Sequence, residues 1–121
     1  MFFNKNIVEL TLSNTLFRKV LFTTERTQLV MMSIAVDSEI GEERHAADQI
    51  LLFVAGEGLA FVNGEESRVA PGHCVIVPAG SLHNFKNTGT EELQLYTLYA
   101  PPQHASGEID TTKDEAEKKE R

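Results

Sequence analysis

The sequence has a single cysteine, Cys74, in 121 residues. That excludes an internal disulfide and fits a reducing compartment. Positive charge is also scarce: 11 Lys and Arg against 18 Asp and Glu leave a formal net charge of −7. Phosphate backbones and anionic bilayers both need a basic face, so nucleic acid and membranes are excluded as partners. No apolar run reaches the length of a membrane span, and the opening Met1-Phe2-Phe3-Asn4-Lys5-Asn6 is too short in apolar residues for a secretion signal. A cytoplasmic location is therefore expected. The chain further lacks a Ser-His-Asp or Cys-His grouping, a glycine-rich phosphate loop, a basic aromatic patch, an internal repeat and a sustained helical period.

What is present reads as strands. The length suits one domain with a real core. Ile7–Leu12 is a short strand or an arm, and Phe17–Phe22 is a strand ended by the polar turn Thr23-Thr24-Glu25-Arg26. Gln28–Val36 reads as a strand buried on both faces. Ile50–Val54 and Leu59–Val62 flank a glycine turn, and Asn63-Gly64 signals a hairpin because both residues tolerate positive φ. Glu66–Val69 follows the hairpin turn, His73–Val77 is another strand, Asn84–Asn87 leads into the loop Thr88-Gly89-Thr90, and Leu93–Tyr99 is the last strand, stopped by Pro101-Pro102. Short strands with Gly and Pro turns predict an antiparallel sandwich or barrel. Residues 1–105 form this domain with its N-terminal strands, and 106–121 are a charged tail. Asp114–Lys118 and Glu115–Lys119 have helical spacing there, but so short a helix is marginal alone and a frayed end is expected.

The stretch from Glu43 to Asn87 carries polar residues that apolar strands have little reason to hold. Side chains alternate along a strand, so Glu43, His45 and Gln49 share one face while Asp48 points away in a structural role. His83 follows the turn Pro78-Ala79-Gly80, which brings a second imidazole opposite. Two imidazoles and two oxygen donors suit a first-row transition metal. Glu43 is equally a ligand or a catalytic base, and Gln49 is a ligand or a group that holds one. Asn87 shapes its loop, Cys74 is a small buried hydrophobe, and His73 sits beside a turn, while His104, past the double proline, either folds back over the barrel mouth or, as the better expectation, lies on the surface. Phe17, Phe22, Phe53 and Phe61 are assigned to the core.

These patterns resemble the paired motifs of the cupin superfamily. Gly72, Pro78, Gly80, His83 and Asn87 stand at the spacing of its second motif. The first motif keeps the spacing with changed identities: Glu43 where a histidine is usual, then His45, then Gln49 in place of a glutamate, then Gly56. Asp48-Gln49 with Tyr99-Ala100-Pro101-Pro102 and His104 resembles the subgroup labelled mannose-6-phosphate-isomerase-like. The resemblance implies an all-β, antiparallel double-stranded β-helix, a jelly-roll barrel. It also implies one divalent metal ion per chain (Ni, Zn, Mn or Fe), held by His45, Gln49, His83 and Glu43. An ion with two open positions would take a small carbohydrate-like or α-hydroxycarbonyl ligand. Three activities fit: a metal-dependent isomerase with Glu43 moving the proton, a dioxygenase, or a non-catalytic binding module. A homodimer is expected, with Gln28–Val36 and the Phe2-Phe3 arm as pairing surfaces.

Overall fold

In the computed structural model, which describes residues 1–119, strands alternating apolar and polar side chains form two antiparallel sheets around one core. They are β1 (Arg18–Thr23), β2 (Gln28–Ile34), β3 (Asp48–Ala55), β4 (Gly58–Val62), β5 (Glu65–Val69), β6 (Cys74–Val77), β7 (His83–Asn87), β8 (Leu93–Ala100) and β9 (Ile109–Asp110). One sheet runs β6-β3-β8-β2-β1-β9 and the other β5-β4-β7. This is an antiparallel barrel of the kind the strand pattern predicts, in the jelly-roll form that the family resemblance implies.

Register decides where the site lies. Gln28, Tyr99, Gln49 and Val77 stand side by side across β2, β8, β3 and β6. The next inward row is Val30, Thr97, Leu51 and Val75, followed by Met32, Leu95 and Phe53. The barrel is therefore polar at one end and apolar at the other, where Ile34, Leu93, Leu95 and Phe85 are buried. Each such side chain contributes about 1.5–3 kcal/mol by leaving water, so the apolar end anchors the fold and the polar end is available for chemistry.

Two turns set the smaller sheet. Asn63 and Gly64 both have positive φ, 48° and 82°, which matches the twist of the β4–β5 hairpin. Gly58 brings β4 close to β7, since a Cβ there would collide with the Lys86 carbonyl oxygen.

Several expectations need correction. Ile7–Ser13 is an α-helix, α1, packed on β3 and β8, not a strand. Asn6 caps it by accepting from the Glu9 N–H at 3.1 Å, which favours a helix over extension. Gln28–Val36 is not a pairing surface, because β2 lies between β8 and β1 inside the larger sheet. Cys74 is exposed on the edge strand β6. Phe61 and Phe22 are half-buried; Phe61 lies under the Lys86 ammonium at 5.2 Å and Phe22 against Phe3 at 6.0 Å.

The C-terminal residues do not fray. β9 pairs with β1 and leads into α2 (Lys113–Lys119). Thr112 Oγ1 accepts from the Glu115 N–H at 3.1 Å, and Glu115 reaches back to the Thr111 N–H at 2.7 Å, a capping pair at the helix start. Asp110 is fully buried, with Arg18 Nη1 3.4 Å and Lys119 Nζ 2.7 Å away. The buried Arg18–Asp110 pair and the core residue Ala116 both tie this segment to the barrel. Lys119 Nζ lies against Asp110 and donates to the Ile109 carbonyl, so it serves the β9 joint in addition to its helical spacing from Glu115.

Candidate metal centre

The first motif is stitched to the second by backbone. Glu43 N–H donates to the His83 carbonyl and His83 N–H to the Glu43 carbonyl, both at 2.9 Å. Gly80 N–H donates to the His45 carbonyl at 2.7 Å, and Ala79 N–H to Asp48 Oδ1 at 2.8 Å. Strand β3 begins only at Asp48, after a bend at residues 46–47, yet burial still alternates: His45, Ala47 and Gln49 are inside, Arg44, Ala46 and Asp48 outside. The parity argument thus holds for burial although the ribbon is not one continuous strand. Asp48 has the structural role expected of it. Asn87 does too, donating to the Ile34 and Glu91 carbonyls and accepting from Gly89.

These stitches bring the two imidazoles together. The rings of His45 and His83 lie 5.1 Å apart between centroids, tilted by 57°. Glu43 Oε2 is 3.5 Å from His45 Nε2, with the carboxylate side chain 21% exposed. Burial, with smaller contributions from His83 and the Arg18 guanidinium, lowers the His45 pKa to about 4. His45 is therefore neutral near pH 7, and its contact with Glu43 is not an ion pair. His83 Nδ1 meets the Ser81 carbonyl at 2.9 Å. That contact requires the proton on Nδ1 and leaves the Nε2 lone pair for another partner, the arrangement typical of metal-binding histidines.

Gln49 is 3% exposed, and its amide nitrogen donates to Thr97 Oγ1 at 3.2 Å and to the Tyr99 hydroxyl at 3.1 Å. Thr97 in turn donates to the Ile50 carbonyl at 2.9 Å. The amide orientation is fixed by these bonds, and Gln49 Oε1 is buried without a hydrogen-bond partner among the described residues. A buried acceptor left bare costs about 1–3 kcal/mol, so Gln49 Oε1 is a candidate to meet a bound group. The donor set of two imidazoles, an amide oxygen and a nearby carboxylate fits a borderline divalent ion by its chemistry. Among the described residues, no three His, Cys, Asp or Glu side chains form a ready-made metal cage.

His104 takes the first of the two positions open to it, folded back over the barrel rather than out on the surface. It is not a surface histidine: its side chain is 8% exposed, and its ring packs edge-on against Tyr99 at 5.2 Å. Tyr99 in turn meets the His45 ring at 5.7 Å. Burial first, then the Arg18 guanidinium and the neighbouring His45 ring, lowers the His104 pKa to about 3 against an opposing pull from Asp110. The double proline marked a strand end, but no local pattern shows a chain folding back. A cavity of about 240 Å³ opens beside His83, lined also by Glu42, Phe61 and Lys86.

A jelly-roll barrel with two motif histidines at its polar end defines a class, and comparison with known sequences places the chain within it. Residues 30–99 match the cupin domain family, and the chain belongs to that family. It is similar to the uncharacterized Bacillus subtilis protein YrkC, 36% identical over 118 residues, covering 92% of this chain and 63% of that one. The chain thus spans less than two thirds of that relative's length. The crystal structure of BH2720 from Bacillus halodurans is 37% identical, with a TM-score of 0.94 over 96% of this chain and 93% of that chain. KdgF from a Halomonas species shares the fold, at 22% identity and a TM-score of 0.67 over 71% of this chain and 78% of that one. No helix among the described residues is long and apolar enough to cross a membrane.

Proposed function

We propose that this cupin is a small metalloenzyme of the mannose-6-phosphate-isomerase-like kind, acting on a sugar-like or α-hydroxycarbonyl molecule. One observation carries the reading: His45 and His83, far apart in the chain, have ring centroids 5.1 Å apart at the polar end of an otherwise apolar barrel. His45, His83 and Gln49, with Glu43 as a further oxygen donor, are the residues that would hold a divalent Ni, Zn, Mn or Fe ion. When bound, such an ion supplies Lewis-acid polarisation of a carbonyl oxygen.

The chain's own residues do the rest. Glu43 is partly exposed beside His45, so its carboxylate can take a proton from one carbon of a bound α-hydroxycarbonyl and return it to the next, while the hydroxyl proton passes to the former carbonyl oxygen. Thr97 and Tyr99 hold the Gln49 amide so that its oxygen points at the site. His83 is kept in one tautomer by Ser81. The surrounding Leu51, Val77 and Phe85 exclude water, which strengthens each of these polar contacts.

The test is turnover. Tag-free protein is assayed on a panel of sugar phosphates and enediols with oxygen consumption recorded. Isomerisation abolished by His83→Ala supports the proposal, while oxygen uptake favours the dioxygenase alternative on the same residues. Metal retained without turnover on any compound leaves a binding module. We also propose a homodimer, supported by the exposed Met1, Phe2, Val8 and Leu12 of the N-terminal segment. A monomeric mass by light scattering would refute it.

A further inference from the structure

The C-terminal segment delivers His104 to the polar end of the barrel, and one buried side chain fixes it there. Gln28 is 1% exposed and spends its whole amide on this task. Its Oε1 accepts from the N–H groups of Gln103 at 3.1 Å and His104 at 2.9 Å. Its Nε2 donates to the His104 carbonyl at 2.7 Å and to Thr23 Oγ1 at 3.0 Å. A strand residue that clamps the backbone of one tail histidine from both sides is a costly device for a residue with no task. The imidazole it presents has its Nε2 buried without a hydrogen-bond partner among the described residues.

The chemistry of the missing partner can be read from the neighbours. Glu108 Oε2 is 3.8 Å from His104 Nδ1, which favours the proton on Nδ1 and leaves Nε2 an acceptor. Gln49 Oε1 is also an acceptor without a partner, and Tyr99 touches both residues. Gln49 Oε1 is the one assigned to the ion, which leaves His104 Nε2, beside the same phenol, as the bare acceptor that asks for a donor. A carboxylate or phosphate offers only acceptors, whereas a polyhydroxylated molecule offers several O–H groups.

We infer that His104 Nε2, held in place by the Gln28 clamp, accepts a hydrogen bond from a ligand hydroxyl beyond the α-hydroxycarbonyl unit and so selects polyhydroxylated ligands over simple ones. This rests on the α-hydroxycarbonyl reading above.

The experiment compares two probes on the metal-loaded full chain by calorimetry: D-erythrulose, which carries further hydroxyls, and hydroxyacetone, which carries only the α-hydroxycarbonyl unit. His104→Phe keeps a ring against Tyr99 but removes the acceptor; His104→Gln returns an acceptor near the Nε2 position. His104→Phe is expected to weaken erythrulose roughly five- to tenfold, the effect of one hydrogen bond. Hydroxyacetone affinity and metal content should stay unchanged, and His104→Gln should recover much of the loss. Equal weakening of both probes, loss of metal, or no weakening of erythrulose would overturn the role of His104 while leaving the α-hydroxycarbonyl reading in place. Failure of the wild type to bind either probe would overturn that reading and this one together. Should His104→Phe not fold, ¹⁵N spectra of the wild-type imidazole decide the matter: the Nε2 signal must move when erythrulose is added, and a signal that stays put refutes the contact.

Discussion

Replacing Asp110 by asparagine removes one charge and almost no volume from the joint that docks the C-terminal segment. The carboxylate is fully buried, 3.4 Å from Arg18 Nη1 and 2.7 Å from Lys119 Nζ. Breaking a buried pair costs about 3–5 kcal/mol, because the surviving charge is stranded. Two features reduce that here. Glu108 Oε2 stays 3.6 Å from Arg18 as a substitute partner, and the Lys119 side chain is 44% exposed and so well screened. The expected loss is therefore about 2–3 kcal/mol, or roughly 10 °C in Tm for a domain of this size. Its pH dependence has a definite sign. Burial alone would raise the Asp110 pKa, but the Lys119 ammonium, a hydrogen bond shared with Glu108 and the Arg18 guanidinium together hold it below the usual carboxylate range. Stability from such a group is complete above the unfolded value of about 3.9 and is lost as pH falls through the lower folded value. Urea unfolding followed by circular dichroism should show a constant gap between wild type and Asp110→Asn from about pH 8 to about pH 5, closing in stronger acid. Burial and Asp110 push Glu108 the other way, so repeating the pair in a Glu108→Gln background removes the opposing trend. Equal stability at neutral pH, or a gap that widens on acidification, would refute the argument.

The Gln28 clamp should be similarly costly to remove. Gln28→Leu leaves the Gln103 and His104 N–H groups and the His104 carbonyl without their partner, and about 2–4 kcal/mol of stability should go. Hydrogen exchange at Gln103 and His104 should rise sharply, and unchanged protection there would contradict the clamp. Gly58→Ala must push β4 from β7, so it should fold poorly, whereas Gly64→Ala meets no neighbouring atom and costs only its positive φ. Comparable yields and melting temperatures for the two would count against the close approach. Chelator treatment of the purified protein should lower Tm by several degrees through lost ligand linkage, and a melting curve indifferent to chelator and to added metal would oppose a bound ion.

The strand pattern and the motif spacing made most of the barrel legible, because period-two burial and the Asn63-Gly64 turn are local signals. The pairing of His45 with His83 was legible only through the family's spacing, since the bond pairs that create it, Glu43 with His83 and Gly80 with His45, join residues distant in the chain. α1 was misread because Ile7, Val8 and Leu10 suit a strand; the Asn6 cap ahead of Glu9 was the available signal. The docked tail was hidden more deeply. Its anchors are Arg18 with Asp110 and Gln28 with His104, polar pairs 92 and 76 residues apart in the sequence. A charged composition with few apolar residues looks the same whether its charges face water or a buried partner. With its anchors unseen, a surface position was favoured for His104 over one folded back on the barrel, although its side chain is buried.

The most direct measurement is elemental analysis of freshly purified, tag-free protein and of His45→Ala and His83→Ala made alongside it, with folding of each confirmed by circular dichroism. The wild type should carry about one divalent transition-metal ion per chain, and each variant should lose most of it. A folded wild type free of metal that takes none up on addition, or variants that keep the wild-type content, would show that the two imidazoles do not share an ion.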